Sequence, residues 1–369
     1  MKSQNNRILT LDLIKGGSVI GMIIIHTLLI YGNIETQSET FLGNFIRFLG
    51  RGTSIFLICM GITFMTSRNQ SLKSSIKRGA VLLLVALLMN FMKFMIPIIF
   101  EFVPENYMKK FQWDAPLEMQ YLYLVLLGDI LQLAGMSLLI IGFIRKYVKN
   151  KFGILAIGLI IASISRELSG ININIPGVNY VLDLLFSNDF PAYVYFPVFP
   201  WVSFIIIGMF FGKWYAEINY NPSFIFKKMM LIGLFCILLG GPLVFFYKEY
   251  HYNTFFYLGP GGVIYFAGWT LIFLWLIHIT LSKVRENFMI TTLVYCSKNL
   301  TTMYVIQWVL ISWGKGIFGF RQSGITKVFL LMLLFITLTF ILQKALDEIM
   351  KTIKKGRVKK SLLIKDHTL

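Results

Sequence analysis

The chain has 369 residues, of which 56% are hydrophobic and only 14% are charged, and its mean hydropathy is +0.70. Soluble domains carry about 25% charged residues, so this composition excludes a soluble protein and indicates an integral membrane protein. The three cysteines are too few for a disulfide-stapled domain. The net charge of +18 would suggest nucleic-acid binding in a soluble protein, but the positive-inside rule explains it in a membrane protein.

Ten apolar stretches are candidates to cross about 30 Å of hydrocarbon as helices, although the fifth is short. They lie near residues 9–31, 44–67, 79–101, 119–143, 152–167, 192–212, 229–247, 259–281, 292–313 and 324–346. If the N-terminus is cytoplasmic, most Lys and Arg residues fall in cytoplasmic segments. We therefore predict an all-α, polytopic bundle of about ten transmembrane helices, N-in and C-in, in the plasma or inner membrane.

This topology divides the chain into a single transmembrane domain, residues 1–346, and a basic cytoplasmic tail, residues 347–369. A cluster of Lys and Arg next to a transmembrane helix is attracted to anionic lipid headgroups. Membrane lipids are therefore the partners that the positive charge indicates, and no nucleic-acid partner is expected. The sequence leaves the oligomeric state open, a homo-oligomer included.

The first apolar stretch contains three titratable side chains, Asp12, Lys15 and His26. A charged side chain near the bilayer centre raises the free energy of membrane insertion by about 2.5 to 3.5 kcal/mol, so we expect each such residue to have a structural or functional role. At 100° per residue, these three fall with Val19 and Met22 within an arc of roughly 80°, and His26 lies about 16 Å above Lys15. His26 is either a packing histidine or a functional group. Of the other histidines, only His251 is predicted near the outer face, where it could also serve chemistry.

Other polar residues stand out in the predicted spans. Arg47 and Arg51 lie one turn apart at the outer end of the second stretch, where they form either a snorkelling pair or an anion-binding fork. Polar pairs three residues apart either form interhelical hydrogen bonds or contact a substrate. Two such pairs occur, Asp129 with Gln132 and Tyr304 with Gln307. No GxxxxGK[ST], HExxH or CxxC motif is present, and no metal is expected.

Five segments together resemble a known family. The first helix opens with Arg7-Ile8-x-x-Leu11-Asp12-x-x-Lys15-Gly16 and runs to His26. Four segments follow it along the chain, namely residues 55–61, 128–135, 196–201 and 297–304, the last with Gln307-Trp308. This ordered set resembles the transmembrane acyltransferases, and within them the heparan-alpha-glucosaminide N-acetyltransferase-like branch.

The resemblance implies an enzyme that takes an acyl group from cytoplasmic acyl-CoA, with acetyl-CoA as the expected donor, and passes it to a sugar on the other side of the membrane. It assigns donor binding to Asp12 and Lys15 and the acyl-transfer point to His26. It assigns substrate binding to the pairs Asp129 with Gln132 and Tyr304 with Gln307, and to Trp201. Two features depart from the family pattern. Lys15 stands where Arg is usual, and the loop after the first helix carries no histidine.

The residues fit such chemistry independently of the resemblance. Acyl transfer from a thioester needs a base near neutral pH, and histidine is the side chain suited to that task. His26 could act as this base or could be acylated first, and the sequence supports both. Arg47 and Arg51 would then bind the acceptor, which we expect to be a glycan or glycolipid of the cell envelope.

Two other classes of protein remain open. One is a non-enzymatic transporter or flippase, in which the same polar residues line a substrate or proton path. The other is a lipid- or peptide-binding immunity or sensor protein. The absence of a visible internal repeat is an argument against the transporter, since many transporters are built from repeats.

Overall fold

The computed structural model describes residues 8–109, 117–173, 175–187, 194–281, 284 and 286–366. Arg7, the first residue of the motif quoted above, lies outside them. The described residues form helices and isolated bridges but no strand. The helices are α1 Leu9–Tyr31, α2 Ile34–Ser38, α3 Phe41–Gly50, α4 Thr53–Thr66, α5 Leu72–Asn90, a π-helical turn Phe91–Met95, α6 Ile96–Ile99, α7 Glu105–Met108, α8 Leu117–Leu126, α9 Ile130–Tyr147, α10 Lys151–Ile164, α11 Pro176–Phe186, α12 Val198–Glu217, α13 Pro222–Phe246, α14 Lys248–His251, α15 Pro260–Leu281, α16 Phe288–Lys298, α17 Leu300–Trp313, α18 Lys315–Phe318 and α19 Ile325–Asp366.

Eight helical segments of the described chain are long and apolar enough to cross a membrane. They are Leu9–Tyr31, Phe41–Thr66, Leu72–Ile99, Ile130–Tyr147, Val198–Glu217, Pro222–Phe246, Pro260–Leu281 and Ile325–Lys354. The predicted all-α, polytopic membrane fold is thereby confirmed. The orientation, the count of about ten helices and the boundary at residue 346 stay predictions, and α19 runs through that boundary as one helix.

Several of the ten predicted spans differ from the helices by length or continuity. The stretch 152–167 corresponds to α10, a helix of 14 residues. The stretch 292–313 is divided at Asn299, which ends α16 and begins α17. Asn is a frequent residue at such helix ends because its side chain bonds to local backbone groups, and here it donates to the Tyr295 carbonyl.

The predicted span 119–143 is also broken, between α8 and α9. In hydrocarbon a break is tolerated only where other groups satisfy the freed backbone atoms. Here Asn90 Nδ2 donates to the carbonyls of Val125 and Leu127, at 3.0 and 2.8 Å, and the Tyr195 N–H donates to Gly128 at 2.8 Å. Side chains and loops from other elements therefore stabilise an irregular backbone segment inside the bundle.

Small residues set the closest helix contacts. A Cβ on Gly61 of α4 would lie 1.9 Å from the Ile205 carbonyl oxygen of α12, and one on Gly208 would lie 2.2 Å from that of Ile58. Small residues at a membrane helix interface let the backbones approach until dispersion contacts stabilise the pair. The same kind of approach joins α13 to α15 and α1 to α16. α12 is the central helix, and 83% of its most apolar 18-residue stretch is buried.

Candidate functional site

His26 lies on α1 against α17, whose side chains surround its ring. Its Nδ1 atom is 3.2 Å from Oε1 and 3.1 Å from Nε2 of Gln307. The imidazole stacks on the Trp308 indole with ring centroids 3.9 Å apart, and Tyr304 meets it edge-on at 6.2 Å. The three α17 residues occupy positions i, i+3 and i+4, so they share the helix face that meets α1. The half-buried histidine is thus held by one hydrogen bond and two aromatic rings.

The break between α8 and α9 places Asp129 next to this histidine. Asp129 is the N-cap of α9, and its Oδ1 accepts a hydrogen bond from the Ile130 N–H at 2.8 Å. Its Oδ2 accepts one from the Tyr304 hydroxyl at 3.2 Å, and its charge acts on His26. The residue is 7% exposed. One carboxylate therefore caps α9 inside the bundle and also accepts a hydrogen bond from Tyr304, whose ring meets His26 edge-on.

Gln132 completes this cap. Its Oε1 accepts from the Asp129 N–H at 3.0 Å, and its Nε2 donates to the Leu127 carbonyl at 2.8 Å. Reciprocal bonds of this kind form a capping box, which satisfies two backbone donors at a helix start. Gln132 uses both its amide atoms on the backbone, so its contribution in this structure is to hold Asp129 in place. Its predicted contact with substrate stays a prediction.

A second charge, Lys93, lies in the same region. Lys93 belongs to the π-helical turn and is 5% exposed. Its Nζ lies 3.5 Å from the centroid of the Trp308 ring on which His26 stacks. The sequence contained the signal, since Lys93 interrupts an otherwise apolar span, but nothing in the pattern of residues indicated which side chains it would meet. We define His26, Lys93, Asp129, Tyr304, Gln307 and Trp308 as the histidine cluster.

Asp12 and Lys15 form a second polar group at the other end of α1. Lys15 Nζ lies 3.3 Å from Asp12 Oδ1 and 3.4 Å from the Thr63 hydroxyl. The Ser297 hydroxyl donates to Asp12 Oδ1 at 3.1 Å. The Lys15 side chain is 15% exposed, so it is not fully enclosed by its neighbours. The ion pair and the two hydroxyls stabilise charges that would be costly in an apolar helix.

The helical periodicity predicts that one face of α1 runs between the two polar groups, and in the structure this face packs on α16 and α17. Val19 is fully buried in a cluster with Cys296 and Met303, and Met22 packs against it. A stripe of α1 side chains therefore runs from the Asp12 and Lys15 pair to His26 along one neighbouring pair of helices.

Three predicted site residues lie apart from the histidine cluster. Arg47, in the last turn of α3, and Arg51, its C-cap, are exposed, and neither forms an ion pair with any described residue. Trp201 is fully buried on α12, where its indole N–H donates to the Phe256 carbonyl at 2.9 Å and its ring packs on Phe255. The structure gives no contact between these three residues and His26. Their binding roles stay predictions.

Two other histidines form packing contacts. His251 Nδ1 accepts from the Gly261 N–H at 3.1 Å near the start of α15. His278 lies 3.0 Å from the Thr10 hydroxyl and stacks on Phe226 at 4.1 Å. Burial lowers the pKa of His251, which lies outside the spans, and this favours the neutral ring that can accept the bond.

Comparison with known proteins gives one match. Neither a curated protein nor a solved structure matches the chain. The family described as heparan-alpha-glucosaminide N-acetyltransferase, catalytic, matches residues 7–252. This range contains both ends of α1, the π-helical turn and Asp129, whereas α17 lies beyond it. Since the match covers more than half of the 369 residues, the chain belongs to this family and is a membrane acetyltransferase.

Proposed function

We propose that the protein transfers an acyl group, with acetyl as the expected group, from cytoplasmic acyl-CoA to a hydroxyl or amine of an extracytoplasmic glycan or glycolipid. The observation that supports this most directly is the position of His26 inside the bundle, hydrogen-bonded to Gln307 and close to Asp129. The family description names an alpha-glucosaminide, so a terminal glucosaminide is the first acceptor to test.

In the proposed reaction His26 acts on the acceptor. As a general base, it takes the proton of the attacking hydroxyl or amine while the new bond to the acyl carbon forms. The carbon–sulfur bond then breaks, and His26 returns the proton to the departing CoA thiolate. As a nucleophile, His26 would instead bind the acyl group before the acceptor attacks. Asp129 supports either route, because a nearby carboxylate stabilises the positive charge that develops on the imidazole.

The donor assignment rests on the other end of α1. CoA carries phosphates, and an ammonium group beside a hydroxyl can bind a phosphate oxygen. Lys15 and Thr63 provide these groups, and Asp12 orients the ammonium. A lysine binds phosphate as a point charge, without the paired hydrogen bonds of an arginine.

The acceptor side is assigned to Arg47 and Arg51, which would hold an acceptor anion, and to the polar groups of Tyr304 and Gln307 beside His26. Gln132 is assigned to substrate binding through the family resemblance and its pairing with Asp129 three residues earlier, and Trp201 through the resemblance. Their side chains support the Asp129 cap and the packing around α12, respectively.

The test separates the two ends of α1. We expect Lys15→Ala to weaken binding of acetyl-CoA, measured by calorimetry with the purified full-length protein, and to retain turnover at saturating donor. We expect His26→Ala and His26→Gln to bind acetyl-CoA like the unaltered protein but to transfer no radiolabelled acetyl group to a glucosaminide acceptor. His26→Gln keeps a hydrogen-bonding side chain, so it removes the chemistry and leaves a polar partner for Gln307.

His278→Gln is the matched control, because His278 also bonds to a neighbouring helix but lies outside the histidine cluster. We expect it to keep its transfer activity. Near-normal transfer by His26→Gln would return His26 to a packing role. No binding of acetyl-CoA by the unaltered protein would contradict the proposed function and favour a transporter.

A further inference from the structure

The π-helical turn after α5 directs a lysine into the bundle. Lys93 is 5% exposed, whereas Phe91 and Met92 beside it are each 43% exposed. A π turn inserts one extra residue into a helix and occurs frequently at functional sites. A cation buried at membrane depth is unfavourable unless a partner or a function compensates for its desolvation.

Two hydrogen bonds fix the π-helical turn to α17. The Ser312 hydroxyl donates to the Lys93 carbonyl at 2.6 Å, and the Trp313 indole N–H donates to the Met92 carbonyl at 2.8 Å. In a π turn the regular ladder of backbone bonds is interrupted, and side chains can satisfy the carbonyls that it frees. The position of Lys93 is thus set by α17, the helix whose side chains also contact His26.

The Lys93 ammonium group lies at the edge of the reacting region. Its Nζ is 3.5 Å from the Trp308 ring centroid, and the same indole stacks on His26. Asp129 accepts a hydrogen bond from the hydroxyl of Tyr304, whose ring meets His26 edge-on. A cation and an anion on separate helices therefore each contact an aromatic ring that packs on the imidazole, an arrangement suited to a reaction in which one oxygen gains negative charge while the histidine gains a proton.

A cation–π contact alone does not require this location. Lys315 of α18 is equally well buried, at 1% exposed, and its Nζ lies 3.2 Å from the centroid of the Tyr107 ring. The rings that the Lys315 ammonium group faces, Tyr107 and Phe94, are not members of the histidine cluster. The two lysines are thus a matched pair of buried cations, and Lys93 is the one whose Nζ lies over the ring on which His26 stacks.

We propose that Lys93 is a catalytic residue whose ammonium group stabilises the negative charge on the acyl carbonyl oxygen during transfer. The inference rests on the proposed function. When the acceptor attacks, a bond forms to the acyl carbon, the carbonyl π electrons move to oxygen, and His26 takes the acceptor proton. When the carbonyl re-forms, the carbon–sulfur bond breaks, and the thiolate receives that proton. Lys93 keeps its own proton throughout and supplies positive charge where the oxyanion forms.

The experiment compares charge-removing and charge-keeping variants with two donors. With acetyl-CoA and a glucosaminide acceptor, we expect Lys93→Met and Lys93→Gln to lower kcat by about 10²- to 10³-fold. Their Kd for acetyl-CoA should stay within about threefold of the unaltered protein, since the charge acts in the transition state. Lys93→Arg keeps a cation and should exceed Lys93→Gln in kcat by at least about tenfold.

Chloroacetyl-CoA distinguishes catalysis from folding. Its chlorine withdraws electrons, so the negative charge on its carbonyl oxygen depends less on stabilisation by a nearby cation. The loss of kcat in Lys93→Gln should therefore be at least about tenfold smaller with chloroacetyl-CoA than with acetyl-CoA. Lys315→Met is the control for removing a buried lysine, and we expect it to lower the melting temperature while keeping kcat close to that of the unaltered protein.

Three results would overturn this inference while leaving the proposed function intact. They are an unchanged kcat in Lys93→Gln, an equal loss of kcat with both donors, or a loss of kcat in Lys315→Met as large as in Lys93→Met. A glutamine or arginine variant that folds is sufficient for the comparison if the methionine variant does not. Failure of the unaltered protein to turn over acetyl-CoA would overturn the proposed function, and this inference with it.

Discussion

Asp129 combines a structural and an electrostatic task in one side chain. Its Oδ1 caps α9, while its Oδ2 accepts from Tyr304. Removal of an N-cap costs about 0.5 to 2 kcal/mol, and an unpaired buried hydroxyl costs about 1 to 3 kcal/mol more. Asparagine is as good a cap as aspartate but carries no charge. The two tasks can therefore be separated by substitution at this residue.

We expect Asp129→Asn to keep the melting temperature of the unaltered protein but to lower kcat roughly tenfold or more, since the imidazolium loses a neighbouring anion. Asp129→Ala should lower both. Thermal unfolding in detergent and single-turnover transfer of a labelled acetyl group measure the two effects. Equal kcat for Asp129→Asn and the unaltered protein would show that the carboxylate is only a cap.

The individual polar residues could be found from the sequence because a polar or charged side chain is conspicuous in an apolar helix. This argument identified His26, Asp129, Tyr304 and Gln307, which the structure brings together. The sequence does not give the distances between these side chains, however. The same argument also proposed Arg47 and Arg51 as substrate-binding residues, and the structure leaves these arginines exposed and apart from the cluster.

At the scale of helices, α1 offers a direct test of its contact with α16. A Cβ on Gly16 would lie 1.9 Å from the Leu293 carbonyl oxygen, whereas one on Gly17 would have nothing within 4 Å. We expect Gly16→Ala to destabilise the protein by about 1 to 3 kcal/mol, because the helices must separate. Gly17→Ala should be neutral or stabilising by up to about 1 kcal/mol, because alanine restricts the unfolded chain.

Melting temperatures of the two alanine variants in the same detergent measure this difference. Any displacement of α1 also moves Lys15, so Gly16→Ala should weaken acetyl-CoA binding while Gly17→Ala should not. Similar stabilities for the two variants would contradict the close approach of α1 and α16.

The lengths of most helices follow from the sequence, but their breaks do not. Hydrophobic periodicity responds to the average polarity of a stretch, and the stretches 119–143 and 292–313 remain apolar across their breaks. What makes the first break stable is Asn90, which donates to two freed carbonyls from a helix about 35 residues earlier. Such long-range compensation is not visible in the local sequence.

For the molecule as a whole, the orientation predicted from the distribution of Lys and Arg can be tested with cysteine labelling. Glu39, between α2 and α3, and Lys149, between α9 and α10, are both exposed. With Cys236 replaced by Ser, we expect an impermeant thiol reagent to label Glu39→Cys but not Lys149→Cys in intact cells. Both variants should react after permeabilisation. Labelling of Lys149→Cys in intact cells would contradict the N-in, C-in topology.

α1 is one unbroken helix of 23 residues that holds Lys15 near one end and His26 near the other. The elements that meet it are discontinuous, since α8 and α9 are separated by the Asp129 cap and α16 and α17 by Asn299. A continuous helix is stiff along its axis, whereas a break concentrates flexibility at a few backbone angles. The hinges that open the protein to its substrates should therefore lie in these broken helices, which would move around α1 while the spacing between Lys15 and His26 stays constant.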